Sequence, residues 1–390
     1  MYLPRDAKRI ISLLTQSQYK AYAVGGCVRD AIMGRKVSDY DITTSALPNQ
    51  VEKVLLDNDI KFVETGLKHG TITAIINHQP YEITTFRTDG KYSDNRHPES
   101  VSFVNDINED LSRRDFTINA IAYNDEEGFI DLFGGVEDIK KRIIKTVGKS
   151  DLRFQEDALR IMRALRFSSQ LSFGIEEETR LAIFKNKELL NNIAAERIYS
   201  ELVKLLIGDN AGSVIKEYSE IISVIIPEYK ECDYNAIAVA PKKDYIRLAI
   251  LLLKTDNADG ILKRLRVSND TFDKVTKLIE YSRSDASVKE LLNKLGVDLL
   301  FDLIELKKAI NSSFETEKIR EEATRIIESK EPYRISDLKI NGNDLMALGF
   351  EGKEISSVLE KLLFEVWNNP EKNKKEILLN IASRFISRKI

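Results

Sequence analysis

The chain has 390 residues, room for two to three domains at roughly 100–200 residues each. Lys plus Arg number 59 and Asp plus Glu 62, a formal net charge of −3, which excludes a uniformly basic nucleic-acid binder and leaves only a local basic surface for such a partner. Two cysteines, Cys27 and Cys232, and three histidines, His69, His78 and His97, none beside an aspartate, exclude a disulfide framework, a four-thiolate zinc site and a His-Asp phosphohydrolase pattern.

In chain order, the apolar spacing predicts a helix over Ala7–Thr15, a strand over Ala21–Val24 and a helix over Val28–Met33. A strand at Asp39–Thr43 and a helix at Asn49–Asn58 follow. Further strands are expected at Thr71–Ile76, Tyr81–Phe86, Val101–Val104 and Phe129–Asp131, rich in Val, Ile, Thr and aromatics and bounded by turn residues. Residues 115–124 are expected to add a short helix. From about Leu152 the periodicity is almost wholly helical: Glu196–Ile207, Tyr245–Leu253, Phe272–Tyr281, Val288–Lys294, Val297–Ala309, Thr316–Glu328 and Lys374–Ser387, punctuated by Pro227, Pro241 and Pro332. The expected class is α+β: a mixed α/β head followed by an all-α remainder. No apolar run approaches the ~20 residues of a membrane span. The charged N-terminus lacks the apolar stretch of a signal peptide, so a cytoplasmic, reduced setting is expected, with no membrane and no protein partner implied.

Asp39 and Asp41 stand two residues apart on an expected strand, which would put both carboxylates on one face. Two such charges call for a cation, and hard oxygen donors suit Mg²⁺, which shares its shell with substrate phosphates. Just upstream, Tyr22 to Asp30 reads as strand, glycine pair and helix, a turn that lets backbone amides approach a phosphate, with Arg29 beside it. Downstream, arginines at 160, 163 and 166 wind around a helix among apolar neighbours. Guanidinium groups so placed need either a polyanion or acidic partners, for which Glu156, Asp157, Glu196 and Glu201 are available. Glu82 is either a third carboxylate near the metals or an ordinary cross-strand acid. Thr88 to Pro98, polar and without Leu, Ile or Val, reads as a mobile surface loop.

Four ordered segments carry a family resemblance. Val24-Gly25-Gly26-Cys27-Val28-Arg29-Asp30 with Ser38-Asp39-Tyr40-Asp41 resembles the first signature of the class II tRNA nucleotidyltransferases and bacterial poly(A) polymerases. Leu111 to Ala120 is similar to the family's RRDFT segment, Asp131 to Ile139 to its D-x-x-G-G-x-x-D segment, and Glu156 to Phe167 to its EDxxR helix. The resemblance is strong over about residues 20–210. It implies a polymerase-β-like catalytic head over residues 1–148, a helical neck with a base-reading helix over 149–208, a body over 209–300 and a tRNA-binding tail over 301–390.

The resemblance also implies template-independent addition of CCA to the 3′ end of tRNA from CTP and ATP. Asp39 and Asp41 would be the catalytic carboxylates holding two Mg²⁺ ions, while Gly26, Arg29 and Arg114 would hold the nucleotide and Asp115 a ribose hydroxyl. Asp157 and Arg160 would choose the base, because cytosine and adenine both present an exocyclic amine beside an unprotonated ring nitrogen, where guanine and uracil present a carbonyl and a ring N–H. Arg163 and Arg166 would bind phosphates or support the reader. The full-length 88–98 loop favours complete CCA addition over A-only or CC-only addition. Other readings are a poly(A) polymerase, a non-catalytic RNA-binding protein, and a small-molecule nucleotidyltransferase, for which the helical remainder is larger than needed.

Overall fold

The computed structural model describes residues 1–90 and 101–386. By their contacts these form two compact units, one of residues 1–234 with 260–267, the other of residues 235–259 with 268–390.

The first unit opens with α1 (Arg5–Gln16), whose Ala7, Ile10, Ile11 and Leu14 are buried at the three- and four-residue spacing of one helix face. The sheet strands are β1 (Ala21–Val24), β2 (Asp41–Thr44), β3 (Lys61–Gly66), β4 (Thr71–Ile76) and β5 (Gln79–Thr85), with α2 (Gly26–Ile32) and α3 (Pro48–Leu56) between the earlier ones. A short pair, β6 (Arg87–Asp89) and β7 (Val101–Phe103), is followed by α4 (Ile107–Ser112), β8 (Ala122–Asn124) and β9 (Gly128–Ile130). Among the described residues the main sheet has seven strands in the order β3-β4-β5-β2-β1-β8-β9. Its pairings are antiparallel except at β2 and β5, which run parallel with Asp41 opposite Glu82.

Three expectations change here. The strand expected from Asp39 begins at Asp41, so Asp39 lies in the approach to the strand and the two acids do not share a pleat. Residues 115–124 are not a helix: a single 3₁₀ turn at Thr117–Asn119 is followed by β8. Phe116 to Ala122 are all buried, so the apolar run has no exposed face from which a period could be read. The edge strand β3 was not anticipated; its residues are mostly exposed and polar.

After β9 come α5 (Gly135–Lys141), β10 (Ile143–Ile144), α6 (Ser150–Glu156), α7 (Leu159–Leu171), β11 (Gly174–Ile175), α8 (Glu177–Asn186) and α9 (Ala195–Leu206). α7 is buried along most of its length and packs on α9, where Leu202, Leu205 and Leu206 are buried. Two further helices, Ala211–Glu217 and Ser219–Ile225, follow.

The second unit is helical. Asp244–Leu252, Asn269–Ser282, Val288–Ile310 and Thr316–Glu328 pack in succession, and Gly296 at φ +74° breaks the third, as the two separate apolar runs predict. Lys353–Asn368 and Lys375–Ile386 enclose a second core around Leu345, Leu362, Val366 and Leu378. No helix among the described residues is long and apolar enough to cross a membrane.

Candidate active site

The turn after β1 sets the site. Gly25 has φ +79°, donates its N–H to the Ile121 carbonyl at 3.1 Å, and caps the N-terminus of α2. A Cβ at Gly25 would stand 3.2 Å from Arg114 Nη1, so glycine lets that guanidinium lie against the turn. Gly26 follows as the first residue of α2, with Arg29 Nη2 3.7 Å from where its Cβ would be.

Asp41 opens β2 against Glu82 of β5, with Asp39 exposed two residues upstream. The Asp41 side chain reaches solvent, yet the protein around it desolvates it in part. Burial, then the Glu82 carboxylate, raise its pKa above the ordinary range; Arg114 opposes them and Asp39 adds to them. Both neighbouring acids therefore act on Asp41, with one guanidinium as counter-charge. Such a set of hard oxygens fits a divalent ion that takes one or two carboxylates and completes its shell with waters and substrate phosphates. It does not form a closed cage: among the described residues no three Asp, Glu, His or Cys side chains stand together as a self-sufficient metal site.

The segment from Asp110 to Asn119 ties the other motifs together. Arg29 is buried, donates from Nη1 to Asn119 Oδ1 at 2.7 Å, and pairs with Asp30 at 2.9 Å. Asn119 in turn donates to Asp115 Oδ1 at 3.2 Å. Asp115 is buried, accepts from its neighbour's Phe116 N–H, and receives Arg163 on Oδ2 through Nε at 2.8 Å and Nη2 at 2.5 Å. Burial alone would raise the Asp115 pKa, but Arg163 and its hydrogen bonds outweigh it and hold the carboxyl at about 2. The carboxylate expected to meet a ribose is thus already engaged by Arg163.

The D-x-x-G-G-x-x-D segment closes around the same place. Asp131 accepts the Gly135 and Val136 N–H groups at 2.7 and 2.9 Å, and Asp138 accepts the Thr117 hydroxyl at 2.6 Å. A Cβ on Gly135 would lie 2.2 Å from the Thr117 carbonyl oxygen, so this glycine is a packing requirement.

On α7 the arginine stripe finds carboxylates inside the chain. Arg160 pairs with Glu156 at 2.7 Å, Arg163 with Asp115, and Arg166 with Glu201 at 2.9 Å. Of the four acids available by sequence, Glu156 and Glu201 serve; Glu196 pairs with Arg266 and Asp157 with Arg197 at 3.0 Å. Arg29, Arg163 and Arg166 also surround the Phe167 ring, at 5.2, 5.4 and 4.2 Å from its centroid. Asp157 sits at the break between α6 and α7, its Oδ1 accepting the Leu159 N–H at 3.1 Å. Arg160 is buried, its Nη2 bound to the Arg113 carbonyl at 3.1 Å. Each carboxylate oxygen of Asp157 keeps a second lone pair for another donor.

Sequence reasoning missed Asp110, Asn119 and Arg197. Asp110 was legible in principle, since it stands three and four residues before Arg113 and Arg114, the spacing at which helical ion pairs form. Asn119 meets Asp115 four residues back, but its bond from Arg29 spans 90 residues and that of Arg197 to Asp157 spans 40, separations that carry no local signal. Of the 88–98 loop, residues 91–98 lie outside the described residues, and its ends, β6 and β7, pair with each other.

A mixed sheet with an acid-bearing strand, a glycine turn before a helix and an arginine-lined helix define a nucleotidyltransferase head. The Poly A polymerase head domain family matches residues 21–145. The family described as a probable RNA- and SrmB-binding site of polymerase A matches 172–232, and tRNA nucleotidyltransferase domain 2 matches 242–382. The CCA-adding enzyme of Ligilactobacillus salivarius is 34% identical over 99% of this chain and 98% of that protein. That of Geobacillus stearothermophilus is 36% identical over 95% of each. The enzyme of Lactobacillus delbrueckii subsp. bulgaricus is 49% identical over 55% of this chain, a match that spans about half of the relative, 53%. Among solved structures, the Bacillus stearothermophilus CCA-adding enzyme in complex with CTP is similar at 31% identity and TM-score 0.86, over 100% of this chain and 99% of that one. The Thermotoga maritima CCA-adding enzyme complexed with tRNA shares the fold at 22% identity and TM-score 0.68, over 98% and 96%. The chain belongs to the CCA-adding enzyme family of tRNA nucleotidyltransferases.

Proposed function

We propose that this chain builds or repairs the 3′ CCA end of tRNA from CTP and ATP, releasing pyrophosphate and using no nucleic-acid template. The observation that carries the reading is the knitting of all four signature segments into one site: Gly25 against Arg114, Arg29 to Asn119, Thr117 to Asp138, and Arg163 to Asp115.

Asp39 and Asp41, with Glu82 beside Asp41, are the residues that would hold two Mg²⁺ ions. Bound there, a divalent ion supplies charge neutralisation at the reacting phosphate and lowers the pKa of the attacking hydroxyl. Gly26, Arg29 and Arg114 hold and orient the triphosphate, and much of the rate enhancement comes from that positioning. Asp157 accepts from the exocyclic amine of cytosine or adenine while Arg160, braced by Glu156, donates to the ring nitrogen. Arg163 and Arg166 support this reader from the next turns of α7. Residues 1–148 would be the catalytic head, 149–208 the neck, 209–300 the body, and 301–390 the tRNA-binding tail.

An extension assay tests the reading. tRNA ending at the discriminator base, after one C, or after two Cs is incubated with Mg²⁺ and CTP, ATP or both. Growth to CCA and then arrest is expected. A halt after two Cs, or extension of the CC-ended tRNA alone, would make it a partial enzyme; long A tails would make it a poly(A) polymerase.

A further inference from the structure

The side chain of Asp110, on α4, is fully buried and joins four parts of the head. Its Oδ1 accepts Arg113 through Nε at 3.0 Å and Nη2 at 2.7 Å, together with a longer contact from the Arg87 backbone N–H at 3.4 Å. Its Oδ2 accepts Arg114 Nη2 at 3.1 Å and faces the Thr43 hydroxyl at 3.4 Å. Thr43 lies on β2 two residues after Asp41, and Arg87 begins β6, the strand that leads into the 88–98 loop.

Two adjacent guanidinium groups repel, and each needs an anion to be held in a single direction. Among the described residues, the hydrogen bond to Asp110 is the one the Arg114 guanidinium makes, and its Nε is buried without a partner. The Asp41 carboxylate attracts the same guanidinium, but the hydrogen bond that gives it a direction is the one to Asp110. The same carboxylate registers that arginine against β2 and the start of β6.

We propose that Asp110 is a positioning residue for the incoming nucleotide: it fixes Arg114 over the glycine turn and locks that arginine to the strand bearing Asp41. This rests on the reading of the head as a CTP- and ATP-using site. Asp110 itself touches no substrate and acts through Arg114.

Equilibrium binding of CTP and of ATP to the full chain tests it, with wild type, Asp110→Asn, Arg114→Ala and the double variant, each also followed by thermal unfolding. Losing a charge-assisted hydrogen bond corresponds to about tenfold or more in affinity. Asp110→Asn should therefore weaken both nucleotides about tenfold, and the double variant should bind no more weakly than Arg114→Ala alone. A merely structural Asp110 would give losses that add, or a lower melting temperature with nucleotide affinity unchanged; either pattern overturns the proposal. Failure of wild type to bind either nucleotide would instead remove the functional reading, and this proposal with it. Should Asp110→Asn not fold, Thr43→Val replaces it. That variant deletes the hydroxyl facing Oδ2, which also donates to the Thr84 carbonyl at 3.2 Å, and should weaken binding about two- to threefold, again only where Arg114 is present. Unchanged affinity, or an equal loss without Arg114, would overturn the proposal.

Discussion

Asp157 and Asp115 are the same residue type held in two different settings within the first unit. Asp157 sits at a helix break, half-buried, with one arginine and one amide on it and acceptor capacity left over. Removing its carboxylate takes away the group that would receive the exocyclic amine. Asp157→Ala should therefore flatten the preference for CTP and ATP over GTP and UTP by roughly ten- to a hundredfold, at about 1–3 kcal/mol per mispaired buried group. Competition assays with all four nucleotides check this, and unchanged ratios would refute the base-reading role.

Asp115 is instead saturated by Arg163, Asn119 and the Phe116 amide, and its removal should unfold rather than retune the head. Breaking a buried pair costs about 3–5 kcal/mol, so Asp115→Asn should lower stability to denaturant by about that much at pH 7. The sign with pH follows from a carboxyl held at about 2 in the fold against 3.8 as the ordinary value. Its stabilisation is complete above the unfolded value and is lost as pH falls towards 2. The gap between wild type and variant should be constant above about pH 5 and narrow by on the order of 1 kcal/mol by pH 3.

At the scale of elements, the site depends on backbone contacts that leave no room for a side chain. Gly135 opens α5 against the Thr117 carbonyl, in the same segment whose Asp115 and Asn119 hold Arg163 and Arg29. Because the obstacle is backbone, Gly135→Ala must shift either α5 or the 3₁₀ turn. It should cost about 1–3 kcal/mol. Gly174→Ala, with open space around it, should stay within about 0.5 kcal/mol, and melting curves of the two variants make the comparison. The same contacts mark the limit of what the chain's pattern discloses. Ala21–Val24 and Thr71–Ile76 are strands with the bounds their β-branched and aromatic runs predict. Phe116 to Ala122 were misread because a segment buried on every side has no period, and β3 was missed because an exposed edge strand needs no apolar alternation. The signature residues themselves were visible at fixed local spacing. Their partners were legible only in part: Glu156 and Glu201 stood among the acids available to the α7 arginines, but Arg163 meets Asp115 and Arg197 meets Asp157 across 48 and 40 residues, pairings that only the folded chain creates.

For the molecule as a whole, the charge balance constrains how RNA can be held. With 59 basic and 62 acidic residues, the chain has no net positive charge to attract a polyanion from a distance, and any attraction must come from a local basic surface. Several arginines that looked available for phosphate are already paired inside the head, Arg160, Arg163 and Arg166 among them. tRNA binding should then rest on few phosphate contacts together with shape and 2′-hydroxyl recognition. Each neutralised phosphate contributes a slope of up to about −0.9 in log K against log salt, so three contacts predict about a 40-fold loss between 0.05 and 0.2 M salt. On the proposed reading CTP is held at short range by Arg29 and Arg114 in a partly desolvated turn, and it should lose much less over that range. Titrating labelled tRNA and CTP against the full chain at four salt concentrations separates the two. A tRNA slope several times steeper would mean a broad basic surface that the balance of charge speaks against, and a slope near zero would mean recognition with almost no phosphate neutralisation.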